Sequence, residues 1–247
     1  MKADAFSQLK LLDLQELDSR LDRLRHQLAS LPETAMLAEL EAERTDVDGR
    51  FRDARIRVDD LTREQKRADA DVEQVRTRRT RDQDRMDRGL VTNPKDLERM
   101  QSELVSLHRR INELEDAELD VMERLETAQG EMATLGDRSE ALAARGAELT
   151  GVRDAKSGQV ATESAQLDKE RATVADDVPA DLLALYEKIR AQKGGVGAAA
   201  LRARRCGGCS LELTAASLAE FAKAPTDDVL RCEECSRILV RTAESGI

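Results

Sequence analysis

The chain has 247 residues, of which 36% are charged and only 2% aromatic, and its formal net charge is -10. So little bulky apolar material does not build a thick globular core; it points to long helices rich in Ala, Glu, Leu and Arg. No apolar run reaches the ~20 residues that a bilayer-spanning helix needs, and the negative total argues against nonspecific wrapping of duplex DNA.

In chain order, Leu14, Leu17, Leu21, Leu24, Leu28 and Leu31 form a clean stripe that Pro32 breaks. From Leu37 the apolar positions advance by alternating steps of three and four. The seam reads Leu37, Leu40, Arg44, Val47, Phe51, Ala54, Val58, Leu61, Gln65, Ala68, Val72, Val75, Arg79, Asp82 and Met86, and eleven of these fifteen are apolar. That is the narrow stripe of a coiled coil, not a broad globular face. Gly89-Leu90-Val91-Thr92-Asn93-Pro94 interrupts it: Gly89 suits a left-handed helix end, Asn93 an N-cap and Pro94 the first helical position. A second seam runs through Leu97, Met100, Leu104, Leu107, Ile111, Leu114, Glu118, Val121, Leu125, Ala128, Met132, Leu135, Ser139, Leu142, Gly146 and Leu149.

Two sustained seams joined by a turn predict an antiparallel hairpin. Charge agrees, since residues 50–88 carry +3 and residues 94–175 carry -7. The alternative, a straight parallel dimer, is disfavoured by the Gly-to-Pro break. Pro32 on one arm and the Gly146, Gly151, Gly158 run on the other weaken both helices at similar height, which predicts a hinge near 32 and 146–151. Beyond it the return helix offers only Val160, Leu167 and Val174, so the Leu-rich opening segment is expected to bury part of its face against the C-terminal domain.

Pro179-Ala180-Asp181 starts a new helix with Leu182, Leu185, Tyr186 and Ile189 on one face, ended by Gly194, Gly195 and Gly197. A strand near 200–205 then delivers Cys206, Thr214 caps a short helix containing Leu218 and Phe221, and a last strand covers 237–240. The four cysteines of the chain form two C-x-x-C pairs, Cys206/Cys209 and Cys232/Cys235. Each pair aims two thiolates at one point, and together they complete the four-sulfur shell that zinc prefers. With every position filled by protein, the ion is structural. Iron in a rubredoxin-like shell uses the same spacing. A disulfide framework needs an oxidising compartment, whereas Met1-Lys2-Ala3-Asp4-Ala5 shows no apolar signal core, so a cytoplasmic location is expected. A thioredoxin-like pair lacks its βαβ setting.

These residues resemble the bacterial coiled-coil proteins with a C-terminal C4-type zinc ribbon, described as nucleic-acid-binding zinc-ribbon proteins. The resemblance is carried by Thr92-Asn93-Pro94-Lys95-Asp96-Leu97-Glu98, Leu107-His108-Arg109-Arg110-Ile111, Met122-Glu123-Arg124-Leu125, Leu185-Tyr186-Glu187-Lys188-Ile189-Arg190 and Cys232-Glu233-Glu234-Cys235-Ser236-Arg237-Ile238-Leu239. It implies an elongated hairpin joined to a zinc ribbon, without catalytic activity. Relatives are linked to RNA binding, an alternative sigma factor and secretion or flagellar assembly. Ser236 departs from the family's usual C-G-R ending.

The expected fold is thus mainly α: a long antiparallel coiled-coil hairpin over 1–175, its tip near 89–94, then a small α+β zinc-ribbon domain over 176–247. Arg202, Arg204, Arg205, Arg231, Arg237 and Arg241 surround the cysteines. They either hold phosphates of RNA or DNA or offset the negative zinc–tetrathiolate. The few aromatics nearby, Tyr186 and Phe221, argue against single-strand base recognition. Leu90, Val91, Asn93 and Pro94 at the tip form a candidate protein-partner site. Arg76, Arg78, Arg79, Arg81, Arg85 and Arg88 interleave with Asp82, Asp84 and Asp87, the pattern of a solvated face with ion pairs. Gly195-x-Gly197-x-x-Ala200 follows a helix where a dinucleotide fingerprint requires a strand. His26 and His108 lie beside the seams and assemble no nucleophile–base pair, so neither an enzyme nor a small-molecule substrate is expected. The reading is a non-enzymatic adaptor that binds nucleic acid, protein partners or both. The alternative is a purely protein-directed scaffold or chaperone-like adaptor.

Overall fold

The computed structural model describes residues 1–247 and resolves five helices and four short strands. Helix α1 spans Ala5–Ala29 and α2 Pro32–Asp87. Helix α3 spans Pro94–Asp176 and α4 Ala180–Gln192. Strands β1 (Ala198–Arg202) and β2 (Arg205–Cys206) precede α5 (Ala215–Lys223), which leads to β3 (Leu230–Arg231) and β4 (Ile238–Arg241).

Local chemistry sets the helix ends. Asp4 caps α1 by accepting the Ser7 N–H at 2.9 Å, and the Ser7 hydroxyl and amide hold its carboxyl below the usual carboxylate range. Pro32 opens α2, where its missing N–H costs nothing. At the far end Gly89 adopts φ 66, with Gly89 N–H on the Met86 carbonyl and Leu90 N–H on the Arg85 carbonyl. This is the paired capping of a Schellman motif. Asn93 Oδ1 then accepts the Lys95 N–H at 3.1 Å to start α3. Helix α3 runs unbroken through Gly146, Gly151 and Gly158.

The chain groups into two compact units, residues 35–150 and residues 1–34 with 151–247. In the first, α2 and α3 pack along their heptad seams. Val47, Ala54, Leu135 and Leu142 form one buried cluster and Leu61, Leu125 and Ala128 another. Ion pairs prove the antiparallel direction: Glu43 meets Arg138, Arg57 meets Glu131 at 2.9 Å, Glu64 meets Arg124 at 3.4 Å, and Arg76 meets Glu115 at 2.5 Å. As one partner's number rises the other's falls.

In the second unit a four-stranded sheet of order β2-β1-β4-β3 is covered on both faces. Strands β1 and β4 run parallel, and the outer pairs are antiparallel. Ala198, Ile238 and Val240 face α1 and α4, joining Leu11, Leu14, Leu182, Tyr186 and Ile189. Ala199, Leu201 and Leu239 alternate to the other face, joining Leu213, Leu218, Phe221, Cys206 and Cys232. Double coverage explains why Ile238-Leu239-Val240 is an uninterrupted apolar run. Leu21 and Leu24 of α1 pack with Val160 and Leu167 of α3.

A buried polar network ties this layer together. Gln15 Oε1 accepts from Gly197 N–H at 2.7 Å and from the Tyr186 hydroxyl at 3.3 Å. Asp18 accepts from Tyr186 at 2.7 Å and from Arg171 Nε at 2.7 Å, and Arg190 Nε lies 3.3 Å away. Gly197 admits no side chain, since a Cβ there would lie 2.7 Å from the Tyr186 carbonyl oxygen and 2.8 Å from its ring. The Gly-x-Gly pattern is therefore a packing requirement. The N-terminus is also woven in: Ala3 N–H bonds Asp227 O at 2.7 Å and Val229 N–H bonds Met1 O at 3.2 Å.

Candidate metal centre

Strand β1 turns into β2 through Ala203 (φ 46) and Arg204 (φ 65), a two-residue turn with both central residues left-handed. The strand expected over 200–205 is therefore split into two short ones. Strand β2 carries Cys206 into the apolar cluster, and Gly207-Gly208 turns the chain to Cys209. A Cβ on Gly208 would meet the Arg237 side chain at 2.7 Å, so the turn lies tightly against the second knuckle.

The two knuckles repeat one geometry. Ser210 N–H bonds the Cys206 carbonyl at 2.8 Å, and Ser236 N–H bonds the Cys232 carbonyl at 2.9 Å. The serine after each second cysteine is left-handed, φ 64 at Ser210 and φ 61 at Ser236. Ser236 thus keeps the turn for which the resembling family uses glycine.

Cys206 and Cys232 are buried, while Cys209 and Cys235 are half-buried. Cys206 Sγ lies 3.8 Å from Cys235 Sγ, Cys209 Sγ lies 3.9 Å from Cys232 Sγ, and all four sulfurs fall within 4.8 Å of one another. Disulfides need about 2.05 Å. A tetrahedron with metal–sulfur bonds of about 2.3 Å has sulfur–sulfur edges of about 3.8 Å, so the donor set fits one zinc ion. Electrostatics agree. Burial pushes the free Cys206 thiol up to about 12 and raises Cys232 as well, so thiolates there need a cation beside them. At Cys235 burial is outweighed by hydrogen bonds from the Arg237 N–H and the neighbouring cysteines, which bring it down to about 7. Zinc bound in a closed four-sulfur shell supplies a structural cross-link, with no position left for substrate.

The insertion between the knuckles is tied to the second one. Thr214 caps α5 through the Ser217 N–H at 3.1 Å, and Glu233, inside Cys232-Glu233-Glu234-Cys235, accepts from Thr214 N–H at 3.3 Å and the Ser217 hydroxyl at 2.6 Å. Those two donors hold the Glu233 carboxyl below its usual range.

The six candidate arginines divide into two groups. Arg237 donates to the carbonyls of Val196, Gly208 and Lys193 at 3.0, 3.1 and 2.8 Å. Arg241 spans the carbonyls of Ala224, Pro225 and Asp228 at 2.9, 2.6 and 3.1 Å, and Arg231 donates twice to Ser236 O. These three point their donors into the module. Arg202, Arg204 and Arg205 instead cluster at the β1–β2 turn and are exposed, with only loose partners in Glu244 at 3.2 Å for Arg202 and Glu212 at 3.9 Å for Arg205. At the hairpin turn Leu90, Asn93 and Pro94 are exposed and Val91 half-buried. His26 and His108 are exposed on separate helices. Sequence reasoning missed Glu233 and the Gln15–Asp18–Tyr186 network. The only usable signal for the latter was a lone tyrosine on the apolar face of α4.

Residues 14–194 match the CT398-like coiled coil hairpin domain and residues 205–239 the C4-type zinc ribbon domain. An uncharacterized protein of Mycobacterium tuberculosis is 35% identical over 241 residues, 98% of each chain. Another of Mycobacterium leprae is 29% identical over 233 residues, 91% of this chain and 96% of its own. A solved structure from Mycobacterium smegmatis is similar with a TM-score of 0.82 at 34% identity, covering 98% of this chain and 100% of that one. The structure of CT398 from Chlamydia trachomatis reaches 0.66 at 18% identity over 96% and 98% of the two chains, a likeness of fold alone.

Proposed function

Because the chain belongs to the CT398-like coiled-coil hairpin family and ends in a C4-type zinc ribbon, we propose that it is a non-enzymatic adaptor of the cytoplasm. In this reading Cys206, Cys209, Cys232 and Cys235 hold one structural zinc, and the module it stabilises presents Arg202, Arg204 and Arg205 to the phosphates of RNA or DNA. The observation that carries the nucleic-acid reading is the division among the arginines. Three spend their donors on backbone carbonyls, and three gather, exposed, on one strained turn. A guanidinium offers a planar donor fork that matches phosphate. No helix of the chain is long and apolar enough to cross a membrane.

The test is a salt titration of binding to a labelled single-stranded RNA and a duplex DNA. Arg204→Ala with Arg205→Ala removes two phosphate contacts. The slope of log affinity against log salt should therefore fall by about 1.4 on single strands and about 1.8 on duplex. Absence of binding at low salt discards the nucleic-acid reading. The second reading is a purely protein-directed scaffold, favoured by the 65% exposure of Leu90 on a turn fixed by the Schellman bonds. It expects partner capture that survives nuclease and is lost when residues 86–98 are replaced by a short loop; capture by the shortened protein rejects it.

A further inference from the structure

The distal end of the hairpin has an apolar stripe without a full counterpart. From Ile111 onward the α3 seam is buried at Ile111, Val121, Leu125, Ala128, Leu135, Leu142 and Leu149. Before Ile111 every seam residue, Leu97, Met100, Leu104 and Leu107, is only half-buried. The cause lies on α2. The close approaches of Gly136 to Phe51 and Gly146 to Leu40, with the Ser139–Asp48 hydrogen bond, fix the register, and the α2 seam positions falling opposite Leu104 and Leu107 are Asp82 and Arg79, not aliphatic residues. Arg79 is exposed. Asp82 is only 6% exposed, with Arg78 Nε at 3.8 Å and Arg81 Nε at 3.7 Å. Leu90, 65% exposed at the turn, adds apolar surface on the same stretch of chain.

Charge is distributed unevenly as well. Residues 75–111 hold ten Lys and Arg against six Asp and Glu, a net +4 in a chain whose total is -10. Spaced apolar anchors at i, i+3, i+7 and i+10, flanked by excess positive charge, complement a helix with one apolar face and acidic flanks. A second copy would bring the same positive segment against itself and be repelled.

We propose that the distal hairpin, centred on Leu97, Met100, Leu104 and Leu107 of α3 and flanked by Arg79 and Arg85 of α2, is a docking surface for an acidic amphipathic helix of a partner protein. The inference rests on the reading of the hairpin as a protein-recruiting arm and names what that arm recognises. Packing such a helix covers the half-exposed stripe, and its carboxylates meet the arginines that α3 leaves unpaired.

The experiment uses the full-length zinc-loaded protein and three fluorescein-labelled peptides of three heptads each. The first has Leu at the a and d positions and Glu on its flanks, the second replaces Glu by Lys, and the third keeps Glu but replaces Leu by Gln. Fluorescence anisotropy should show binding of the first peptide alone. Its affinity should fall at least tenfold in Arg79→Glu and in Leu90→Glu, both exposed positions that leave the fold intact, and should be unchanged in Arg145→Glu on the proximal part of α3. Equal binding of the Leu-less acidic peptide reduces the surface to a general anion patch and overturns the proposal, as does indifference to Arg79→Glu. A concentration-dependent dimer in sedimentation that Leu90→Glu dissolves assigns the stripe to a second copy and also overturns it. Partner capture that persists when residues 86–98 are replaced by a short loop rejects the reading of the hairpin as a recruiting arm, whereas peptide indifference with tip-dependent capture intact rejects only the acidic helix.

Discussion

Ser210 and Ser236 occupy the position in each knuckle where the chain must turn left-handed, and neither is the residue that such a turn favours. A Cβ in this region crowds the following carbonyl oxygen at a cost of about 1–2 kcal/mol, part of which glycine returns as unfolded-state entropy. Ser236→Gly should therefore stabilise the protein by about 0.5–1 kcal/mol, read as a higher midpoint in denaturant melts and slower zinc loss to a chelator. An unchanged or lower midpoint would show that the serine hydroxyl matters more than the backbone. The contrast between cysteines and arginines at this scale is instructive. The cysteines are legible in the sequence because a C-x-x-C spacing is a local geometric statement. Whether Arg237 donates inward to Val196, Gly208 and Lys193 or Arg204 points to solvent depends on which loops surround it. No spacing in the sequence encodes that.

At the scale of elements, capping and periodicity were readable while strand pairing was not. Gly89, Asn93 and Thr214 end and start helices where their chemistry says they should, because capping involves only neighbours in sequence. The β1–β2 turn escaped notice because Ala203 and Arg204 are unusual residues for positive φ and are held there by tertiary bonds, Ala203 N–H to Glu244 O at 2.8 Å and Arg204 N–H to Ser245 O at 3.1 Å. The junction of α1, α4 and the sheet can be followed through Tyr186, since the chain has one tyrosine and no tryptophan. Burial, then the hydrogen bond to Asp18 and its charge, raise the Tyr186 hydroxyl far above its ordinary value of about 10. The folded state thus favours the neutral phenol. The resulting stability is fully present below pH ~10 and is lost as pH climbs beyond it toward the raised value. In an alkaline titration, tyrosinate absorbance near 295 nm should stay absent past pH ~10 and then appear together with loss of helical circular dichroism. A separate early ionisation would mean that Tyr186 is not locked against Asp18.

For the molecule as a whole, the two units draw cohesion from different sources, and this decides what metal removal does. The seam of residues 35–150 rests on clusters such as Val47, Ala54, Leu135 and Leu142, together with the cross-helix ion pairs, and contains no cysteine. That seam could be read from heptads because a coiled coil is a one-dimensional pattern. The sheet is different. Cys206 and Cys232 belong to its apolar cluster with Leu201, Leu213, Leu218, Phe221 and Leu239, so the sulfurs lie inside the packing rather than beside it. Strands of two to five residues have little cohesion of their own, and structural zinc supplies ~10–16 kcal/mol of apparent folding energy in small modules. Chelation of the full-length protein under reducing conditions should therefore strip hydrogen-exchange protection from β1–β4 and α5. Amides of α2 and α3 between 40 and 149 should remain protected, and zinc should restore the lost protection. A sheet that stays protected without metal would show that the apolar cluster suffices alone. Loss of protection along the α2–α3 seam would show that the coiled coil depends on the ribbon.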